Sequence, residues 1–369
     1  MGQGVPRVPC SGFGCSYILL QWVRVFPVSP IMGCSVPVSS LNVSGCPRVP
    51  PCPCRAVLGS TPHTREGCAL PVPTCLCPPG VLPLCCRPPS WDRAPRQPLG
   101  LPLAPCRAFS NNKIQVELDE SSGVAMMKFK SPPVNSLSLD FLTEFSISLE
   151  KLENDRACRG VIITSTIPKI FSSGLDIMEM CGKNMEHYGE FWRAVQELWL
   201  RLYGSNMVTV AAINGSSPAG GCLIALSCDY RIMAENPKFS IGLNEAQLGI
   251  VAPFWFKDTF VNVVGHRIAE RSLQLGSLHP APEALKLGLV DELVPEEKLL
   301  EKASAIMARW LALPDHARQL TKSMMRKAVL DHLVAHREED IKNFINFISK
   351  ESIQKSLRMY MEMLKKKKS

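Results

Sequence analysis

The chain has 369 residues, 46% of them hydrophobic, and a formal net charge of +8, so it could form one large domain or two ordinary ones. The charge is uneven, because the first 105 residues contain eight arginines, no lysine and only two acidic residues. The rest of the chain is nearly neutral and lacks the basic surface that a polynucleotide requires, so we expect no nucleic-acid binding. Apolar stretches near the start, such as residues 17–23, are too short to span a membrane, and we expect no integral membrane segment.

Residues 1–108 are rich in proline and cysteine: 21 of the 31 prolines lie before Cys106, and 12 of the 16 cysteines lie between Cys10 and Cys106. Dense proline blocks helices, so we expect this segment to be disordered. Pairs such as Cys52 and Cys54 would allow a disulfide framework, but without regular CxxC spacing a leader is favoured. Few acids with arginine and serine are typical of mitochondrial import segments, although this stretch has too much proline for their usual amphipathic helix. We therefore assign it as a leader or atypical targeting region.

The pattern of a packed α/β domain begins near residue 112, and we assign this core to residues 109–300. Residues 113–118 and 124–128 alternate like two strands around a glycine-containing turn. Ser138 is expected to cap a helix with one apolar face. Two buried strands are predicted at 160–164 and 207–213, with a long helix at about 186–203 between them. This alternation predicts a sheet covered by helices.

After Phe254 the pattern becomes almost wholly helical. Helices are predicted at 255–264, 266–275, 283–287, 297–312, 316–332 and 338–364. We assign residues 301–369 to a helical C-terminal section with a charged, solvated end.

Three glycine-containing loops each follow a strand-like run. They are FSSGLD at 171–176, NGSSPAGGC at 214–222 and GLNEAQLG at 242–249. Glycine permits positive φ and lets backbone N–H groups approach a ligand without a Cβ in the way. Two such loops can direct two N–H donors at one point, which is the geometry of an oxyanion hole.

The segment NGSSPAGGCLIALSCDYRIMAENPKFSIGLNEAQLGI resembles the signature of the crotonase, or enoyl-CoA hydratase/isomerase, superfamily, and FSSGLD and APEALKLGLVDELVP resemble its other hallmark segments. The resemblance covers residues 113–350. PPVNSLSL, AVQELWLRLY, LNEAQLGI and PDHARQLTK are most similar to the mitochondrial isomerases of this superfamily. The resemblance implies an α/β, crotonase-like ββα spiral core with a helical C-terminal section. It also implies conversion of 3-cis- or 3-trans-enoyl-CoA to trans-2-enoyl-CoA in the β-oxidation of unsaturated fatty acids.

The same resemblance implies that two backbone N–H groups hold the thioester carbonyl oxygen. By position they belong to Ser173, where the family usually has alanine, and to Gly220. Because Ser173 would act through its main chain, this difference should matter little. The substrate contacts implied by the resemblance are Ser173, Gly174, Leu175, Asp176, Ile177, Gly220 and Asn244.

The resemblance assigns Glu245 as the catalytic carboxylate. Hydratases of the superfamily hold one acid where this chain has Leu223 and a second at the position of Glu245. Adding water needs two groups, whereas moving a double bond needs one base that lifts a proton and returns it, so isomerisation is favoured. Hydration, dienoyl-CoA isomerisation and a non-catalytic acyl-CoA-binding protein of the same fold stay as alternatives. A second acid reaching the pocket, such as Glu179, would favour another crotonase activity.

Several of these residues have simpler structural interpretations. Glu245 could be an ordinary acid in a surface turn, and Asp176 is as well placed to cap a helix as to contact substrate. Asp229 is expected to be structural. His332 and His336 lie four residues apart on a predicted helix, but without an HExxH pattern a solvated face is favoured over a metal site.

We expect no metal and no redox cofactor, because coenzyme A is part of the substrate and the thioester supplies the acidity at C2. The expected partners are an acyl-CoA and, by resemblance, two further copies of the chain in a homotrimer. The resemblance also places the protein in the mitochondrial matrix.

Overall fold

A computed structural model describes residues 106–366, and residues 1–105 and 367–369 lie outside this description. The strands are β1 (Cys106–Ser110), β2 (Ile114–Asp119), β3 (Val124–Phe129), β4 (Ser136–Leu137), β5 (Gly160–Ser165), β6 (Lys169–Ile170), β7 (Gly174–Leu175), β8 (Val208–Ile213), β9 (Gly215–Pro218), β10 (Tyr230–Ala234), β11 (Ser240–Gly242), β12 (His279–Pro280) and β13 (Glu292–Val294). The helices are α1 (Leu139–Glu153), α2 (Ile177–Met180), α3 (Met185–Gly204), α4 (Gly220–Ser227), α5 (Phe254–Val264), α6 (His266–Leu275), α7 (Ala281–Leu287), α8 (Leu299–Leu311), α9 (Asp315–Ile348) and α10 (Glu351–Lys366). Two short 3-10 turns span Glu245–Leu248 and Glu296–Lys298.

The main sheet has seven strands in the order β1-β2-β3-β5-β8-β10-β13. The pairs among β1, β2 and β3 are antiparallel, and the pairs from β3 to β13 are parallel. β2 alternates buried and half-buried residues, whereas every residue of β5 and β8 is buried. The apolar runs of β5 and β8 are covered because α8 packs on one side of the sheet and the larger core lies on the other. The predicted α/β class is therefore confirmed.

Two small sheets support the glycine loops. One has the strand order β12-β11-β9-β6, and the other pairs β4 with β7. β9 begins at Gly215, where a Cβ would lie 1.9 Å from the carbonyl carbon of Lys169, so only glycine fits. β11 pairs with β9 in a register that sets Ile241 opposite Ser217. The second and third loops are thus the ends of adjacent, hydrogen-bonded strands.

The helices that pack on the sheet follow the sequence pattern closely. Ser138 caps α1 through its Oγ, which accepts a hydrogen bond from the N–H of Phe141, so the predicted cap is confirmed. The predicted helix at 186–203 is confirmed as α3, which is one residue longer at each end. Every residue of α4 is buried, so α4 is a central helix of the core.

The C-terminal helices are divided differently from the prediction. α9 continues through the expected gap at 333–337 with only a kink at His336, and the chain instead breaks at residues 349–350. Neither proline nor glycine occurs between residues 315 and 366, so no local breaker marks either place. Packing decides the break, which brings Ile353 and Leu357 of α10 into the core.

The two domain boundaries expected from sequence fall inside a strand and a helix of the structure. Cys106, Arg107 and Ala108, assigned to the leader, pair with β2 as the first half of β1. These residues pair because β2 offers unpaired backbone groups at the edge of the sheet, and amino-acid composition does not predict such a partner. The boundary after residue 300 falls inside α8, and the expected disorder of residues 1–105 falls outside the described residues. Between residues 106 and 366, no helix is both long and apolar enough to cross a membrane.

A buried carboxylate joins the C-terminal section to the core. Asp340 of α9 is 8% exposed. Its Oδ2 accepts hydrogen bonds from the indole Nε1 of Trp192 at 2.7 Å and of Trp255 at 3.1 Å, and from the amide of Gln196 at 2.8 Å. Because these donors lie on α3 and α5, one oxygen links three helices. Its loss would leave three buried donors without a partner.

We therefore expect Asp340→Ala to lower the free energy of unfolding by at least about 3 kcal/mol, measured by urea denaturation. The control is Asp331→Ala on the same helix, where the carboxylate is 61% exposed and pairs with Lys327. That substitution should change the free energy of unfolding by no more than about 0.5 kcal/mol. Equal effects of the two substitutions would show that Asp340 does not hold the helices together.

Candidate active site

The first and second glycine loops approach each other too closely for side chains. Gly174 has φ +89°, and a Cβ there would lie 2.9 Å from the Cβ of Ala219 and 3.0 Å from the backbone nitrogen of Gly220. A Cβ on Gly220 would lie 3.2 Å from the backbone nitrogen of Leu175. Both positions require glycine, and the backbone nitrogens of Leu175 and Gly220 lie where the two loops face each other.

Gly220 is the first residue of α4, so its N–H has no partner within the helix and lies at the positive end of the helix dipole. The preceding residue, Ala219, has φ 48° and ψ −121°, a conformation that costs a non-glycine residue about 1–3 kcal/mol. Its N–H donates to the carbonyl of Gly242 at 2.8 Å. The third loop therefore helps to hold the turn that presents the Gly220 N–H.

The position of Ser173 disagrees with its expected role as the other oxyanion donor. Its N–H already donates to the carbonyl of Val134 at 3.0 Å, and its exposed hydroxyl lies 3.3 Å from that of Ser136. A backbone N–H that is committed to a neighbouring chain segment cannot also hold a substrate oxygen without breaking that bond. The motif alone did not show this, because the partner of an N–H group depends on which strand lies beside it.

The N–H of Leu175 has the direction that Ser173 lacks. The next residue, Asp176, donates its N–H to the carbonyl of Leu137 at 3.2 Å. Successive N–H groups of an extended strand point to opposite sides, so we infer that the N–H of Leu175 points away from β4. Its nitrogen would lie 3.2 Å from a Cβ on Gly220. The family resemblance implied that Leu175 contacts the substrate but assigned the donor role to Ser173. The alternation of N–H directions along the strand is the signal that could have identified the donor.

The rest of the first loop leads into α2. Asp176 caps this helix through its Oδ1, which accepts the N–H of Met178 at 2.9 Å, so its capping interpretation is confirmed. Ile177 is the first residue of α2 and packs, half-buried, against the main core. These two expected substrate contacts, Asp176 and Ile177, are thus the cap and the first residue of the helix that follows the loop.

Glu245 begins the 3-10 turn after β11 and is preceded by Asn244. Although Glu245 as a whole is only partly buried, its Oε2 is enclosed and has no hydrogen-bond partner, as is also true of Oδ1 of Asn244. Burial raises the pKa of Glu245 from 4.5 to about 7, against the opposing effect of a hydrogen bond with its own backbone. An enclosed carboxylate with a pKa near neutrality can both accept and return a proton. This is not the environment of an ordinary acid in a surface turn.

The carboxylate of Glu245 also lies close to α4. Burial raises the pKa of the Cys222 thiol well above its usual value, and the nearby charge of Glu245 raises it further. Cys222 is the third residue of α4, two positions after Gly220. Leu223, at the position where the resemblance implies an acid in hydratases, is buried in the core. The enclosed acid thus lies near the first turn of α4, and a hydrocarbon side chain occupies the position of the implied second acid.

Glu179, the residue that sequence analysis considered as a second acid, is engaged elsewhere. Its Oε1 accepts the N–H of Leu139 at 3.0 Å, and its Oε2 lies 2.6 Å from Nε2 of His187. Both oxygens therefore have partners. The interactions tie α2 to the start of α1 and to α3.

Asp229 and the histidine pair have structural surroundings. The Asp229 carboxylate is buried and pairs with Lys322 at 2.8 Å and Arg326 at 2.9 Å, so its expected structural role is confirmed. Nδ1 of His336 lies 2.9 Å from the carbonyl of His332. No group of three or more His, Cys, Asp or Glu side chains that could hold a metal ion occurs within residues 106–366.

Enclosure of the Glu245 carboxylate predicts a pH-dependent loss of stability. The folded protein holds this proton more tightly than the unfolded chain, since the pKa rises from 4.5 to about 7, so stability falls as the pH rises between those values. Glu245→Gln removes the loss. We compare the free energy of unfolding of the variant with that of the wild type at each pH. The advantage of the variant should be about 2 kcal/mol larger at pH 8 than at pH 5.

Urea denaturation at the two pH values measures this difference. The control is Glu296→Gln at the exposed start of the other 3-10 turn, which should alter stability equally at both pH values. A gain for Glu245→Gln that does not change with pH would show that water screens its carboxylate.

Comparison with known proteins places the chain in a family. The sequence profile "Enoyl-CoA hydratase/isomerase" matches residues 119–368. The chain is 66% identical over 262 residues to "Enoyl-CoA delta isomerase 1, mitochondrial" of Rattus norvegicus, covering 71% of this chain and 91% of that protein. It is 31% identical over 207 residues to "Crotonyl-CoA hydratase" of Syntrophomonas wolfei, covering 56% of this chain and 79% of that protein.

The crystal structure of human mitochondrial delta3-delta2-enoyl-CoA isomerase superposes with a TM-score of 0.69 at 63% identity, covering 70% of this chain and all of that one. The predicted crotonase-like core is thereby confirmed. The chain belongs to the enoyl-CoA hydratase/isomerase family, the crotonase superfamily that its glycine loops resemble.

Proposed function

We propose that this protein is an enoyl-CoA delta isomerase that converts 3-cis- or 3-trans-enoyl-CoA to trans-2-enoyl-CoA. Relatives with 63–66% identity that carry this name support the reaction. The observation that carries the proposal is the enclosed carboxylate of Glu245, which has an unpartnered oxygen and a pKa of about 7. A single such group beside two glycine loops is sufficient for moving a double bond.

In the proposed reaction the thioester oxygen accepts hydrogen bonds from the N–H groups of Gly220 and Leu175. Glu245 removes a proton from C2, and the electrons of that C–H bond move into the conjugated thioester enolate. The same carboxyl group then returns the proton at C4, so the double bond moves from C3 to C2 and no atom is gained or lost. The two donors stabilise the negative charge only once it develops on the oxygen, which is how such a hole lowers the barrier.

The raised pKa suits both halves of this reaction. A carboxylate with an ordinary pKa would be a weak base towards a carbon acid. A carboxylate with a pKa of about 7 is a stronger base and is still largely ionised at slightly alkaline pH. Because Glu245 is the base in its ionised form, the rate should rise with pH through about 7.

The chain offers little support for hydration. Leu223 supplies no acid where hydratases hold one, and both oxygens of Glu179 have partners. A non-catalytic acyl-CoA-binding protein would not need to keep an acid enclosed, which opposes folding when ionised.

The proposed reaction needs no metal or redox cofactor, because a proton moves between two carbons and the oxidation level of the substrate is unchanged. Coenzyme A enters as part of the substrate. Gly174, Asp176, Ile177 and Asn244 stay proposed substrate contacts, while the donor role of Ser173 passes to Leu175.

We propose that the protein acts in the mitochondrial matrix, where β-oxidation would use its product. The names of its relatives support the mitochondrion. We also propose a homotrimer. Leu320, Met324 and Met325 of α9 are 62%, 70% and 78% exposed, an apolar face that a second copy would cover.

Glu245→Gln keeps the size of the side chain and removes the base. We expect this change to lower kcat for 3-hexenoyl-CoA by at least about a hundredfold. Binding of saturated hexanoyl-CoA should change little, because the backbone donors are untouched.

The activity control is Glu296→Gln, which should keep the wild-type kcat. Wild-type turnover in Glu245→Gln would identify another residue as the base. Absence of isomerisation in the wild-type protein together with tight acyl-CoA binding would favour the non-catalytic alternative.

The trimer proposal makes a separate prediction. A double substitution, Leu320→Glu with Met324→Glu, places charge on the exposed apolar face and should convert a trimer to monomers in size-exclusion chromatography with light scattering. Met185→Glu, at an exposed methionine that begins α3, is the matched control and should leave the trimer intact. A trimer that survives the double substitution would show that another surface joins the subunits.

A further inference from the structure

Asn135 is a fully buried polar residue that the proposed reaction does not use. It has φ 50°, a backbone conformation that asparagine tolerates better than most residues. Its Oδ1 accepts the N–H of Ser131 at 2.8 Å, which closes its own turn. Its Nδ2 donates to Oγ of Ser165 at 2.7 Å and to the carbonyl of Phe171 at 2.9 Å. One amide thus joins the turn before β4, the end of β5 and the start of the first glycine loop.

Ser172 continues this network into the glycine loop. It is also fully buried, and its Oγ donates to the backbone carbonyl of Asn135 at 2.8 Å. The same Oγ accepts the N–H of Gly174 at 3.2 Å. The hydroxyl therefore fixes the residue immediately before Leu175, whose N–H is the proposed oxyanion donor.

The backbone of Ser172 also touches the second glycine loop. A Cβ on Gly221 would lie 2.7 Å from the carbonyl oxygen of Ser172 and 3.1 Å from its Cβ. Gly221 is the second residue of α4, directly after Gly220. Ser172 consequently contacts the residue next to each of the two proposed donors, Gly174 beside Leu175 and Gly221 beside Gly220.

We propose that Asn135 and Ser172 are positioning residues of the oxyanion hole, which set the N–H of Leu175 and the N–H of Gly220 at one mutual distance. This inference rests on the proposed function, since it assigns what holds the two donors. Both side chains are fully buried. Their effect is exerted through the backbone of the first loop, where a displacement of about 1 Å can cost a hundredfold in rate.

A structural role alone would have a different consequence. Loss of a buried hydrogen bond lowers stability by about 1–3 kcal/mol wherever it lies in the core, and it need not alter the bound substrate. A positioning role changes the hydrogen bonds that the thioester carbonyl receives. The vibrational frequency of that carbonyl reports them directly, because hydrogen bonding polarises the C=O bond and lowers its stretching frequency.

The test uses full-length protein and hexanoyl-CoA labelled with carbon-13 at the carbonyl, observed by isotope-edited infrared spectroscopy. In the wild type we expect the bound carbonyl band below its position in water. Ser172→Ala should move the band back towards the position in water and lower kcat for 3-hexenoyl-CoA by about 10- to 100-fold. The dissociation constant of hexanoyl-CoA should change less than kcat.

Asn135→Asp is the second variant, in case Ser172→Ala folds poorly. Aspartate keeps the shape, the tolerance of positive φ and the acceptor for Ser131, but it places an acceptor against the carbonyl of Phe171. It should shift the band in the same direction. Ser148→Ala is the matched control, since Ser148 is a fully buried serine of α1 that accepts a hydrogen bond from Asn111. It should lower stability without moving the band.

A band that stays at the wild-type position in both variants overturns the inference, even if the melting temperature and kcat fall, because that result describes a structural role. A wild-type band at the position in water also overturns it, since no hole would then exist. If the wild type binds hexanoyl-CoA with a lowered band but does not isomerise 3-hexenoyl-CoA, the proposed function fails. The positioning role is still decided by the variants in that case.

Discussion

The close approach of the first and second glycine loops is the constraint on which the site depends. Gly174 and Gly220 leave room for no Cβ between them, and Gly221 packs in the same way on Ser172. These contacts bring the start of α4 against the end of β7, so the backbone nitrogens of the two proposed donors are set close together by the fold itself. Donors fixed in advance need no reorganisation when charge develops, which is why a backbone frame serves better here than flexible side chains.

The third loop belongs to the same frame. β11 pairs with β9, and the N–H of Ala219 donates to the carbonyl of Gly242, so the strand that leads to Glu245 is hydrogen-bonded to the turn that presents Gly220. The proposed base, Glu245, therefore lies three residues after a carbonyl that is hydrogen-bonded to the residue before Gly220, one of the proposed donors. The buried thiol of Cys222 on α4 lies near the carboxylate. Burial raises the pKa of that thiol and the charge of the carboxylate raises it further, while burial also raises the pKa of Glu245 to about 7.

Sequence alone predicted most of the core, because its signals are local. The cap at Ser138, the buried strands β5 and β8, and the place of Glu245 after β11 all follow from short patterns. The donor that we propose in the first loop did not, because Ser173 and Leu175 differ only in which strand lies beside each N–H. A pattern of residue types does not predict which backbone N–H groups donate hydrogen bonds to a neighbouring strand. The same limit hid the pairing of residues 106–108 with β2.

The division of the C-terminal helices was the least predictable part of the fold, and it also supports the site. Ionised Glu245 and the left-handed backbone of Ala219 both oppose folding. The break before α10 turns Gln354 inward, where its amide accepts the N–H of Gly182 and donates to the carbonyl of Met180, just after the first loop. α10 also contacts the turn that begins at Glu245. The break at residues 349–350 thus precedes a helix that contacts both the segment after the first loop and the turn of Glu245. These contacts help to hold the loops around the site in place, including the energetically unfavourable turn of Glu245.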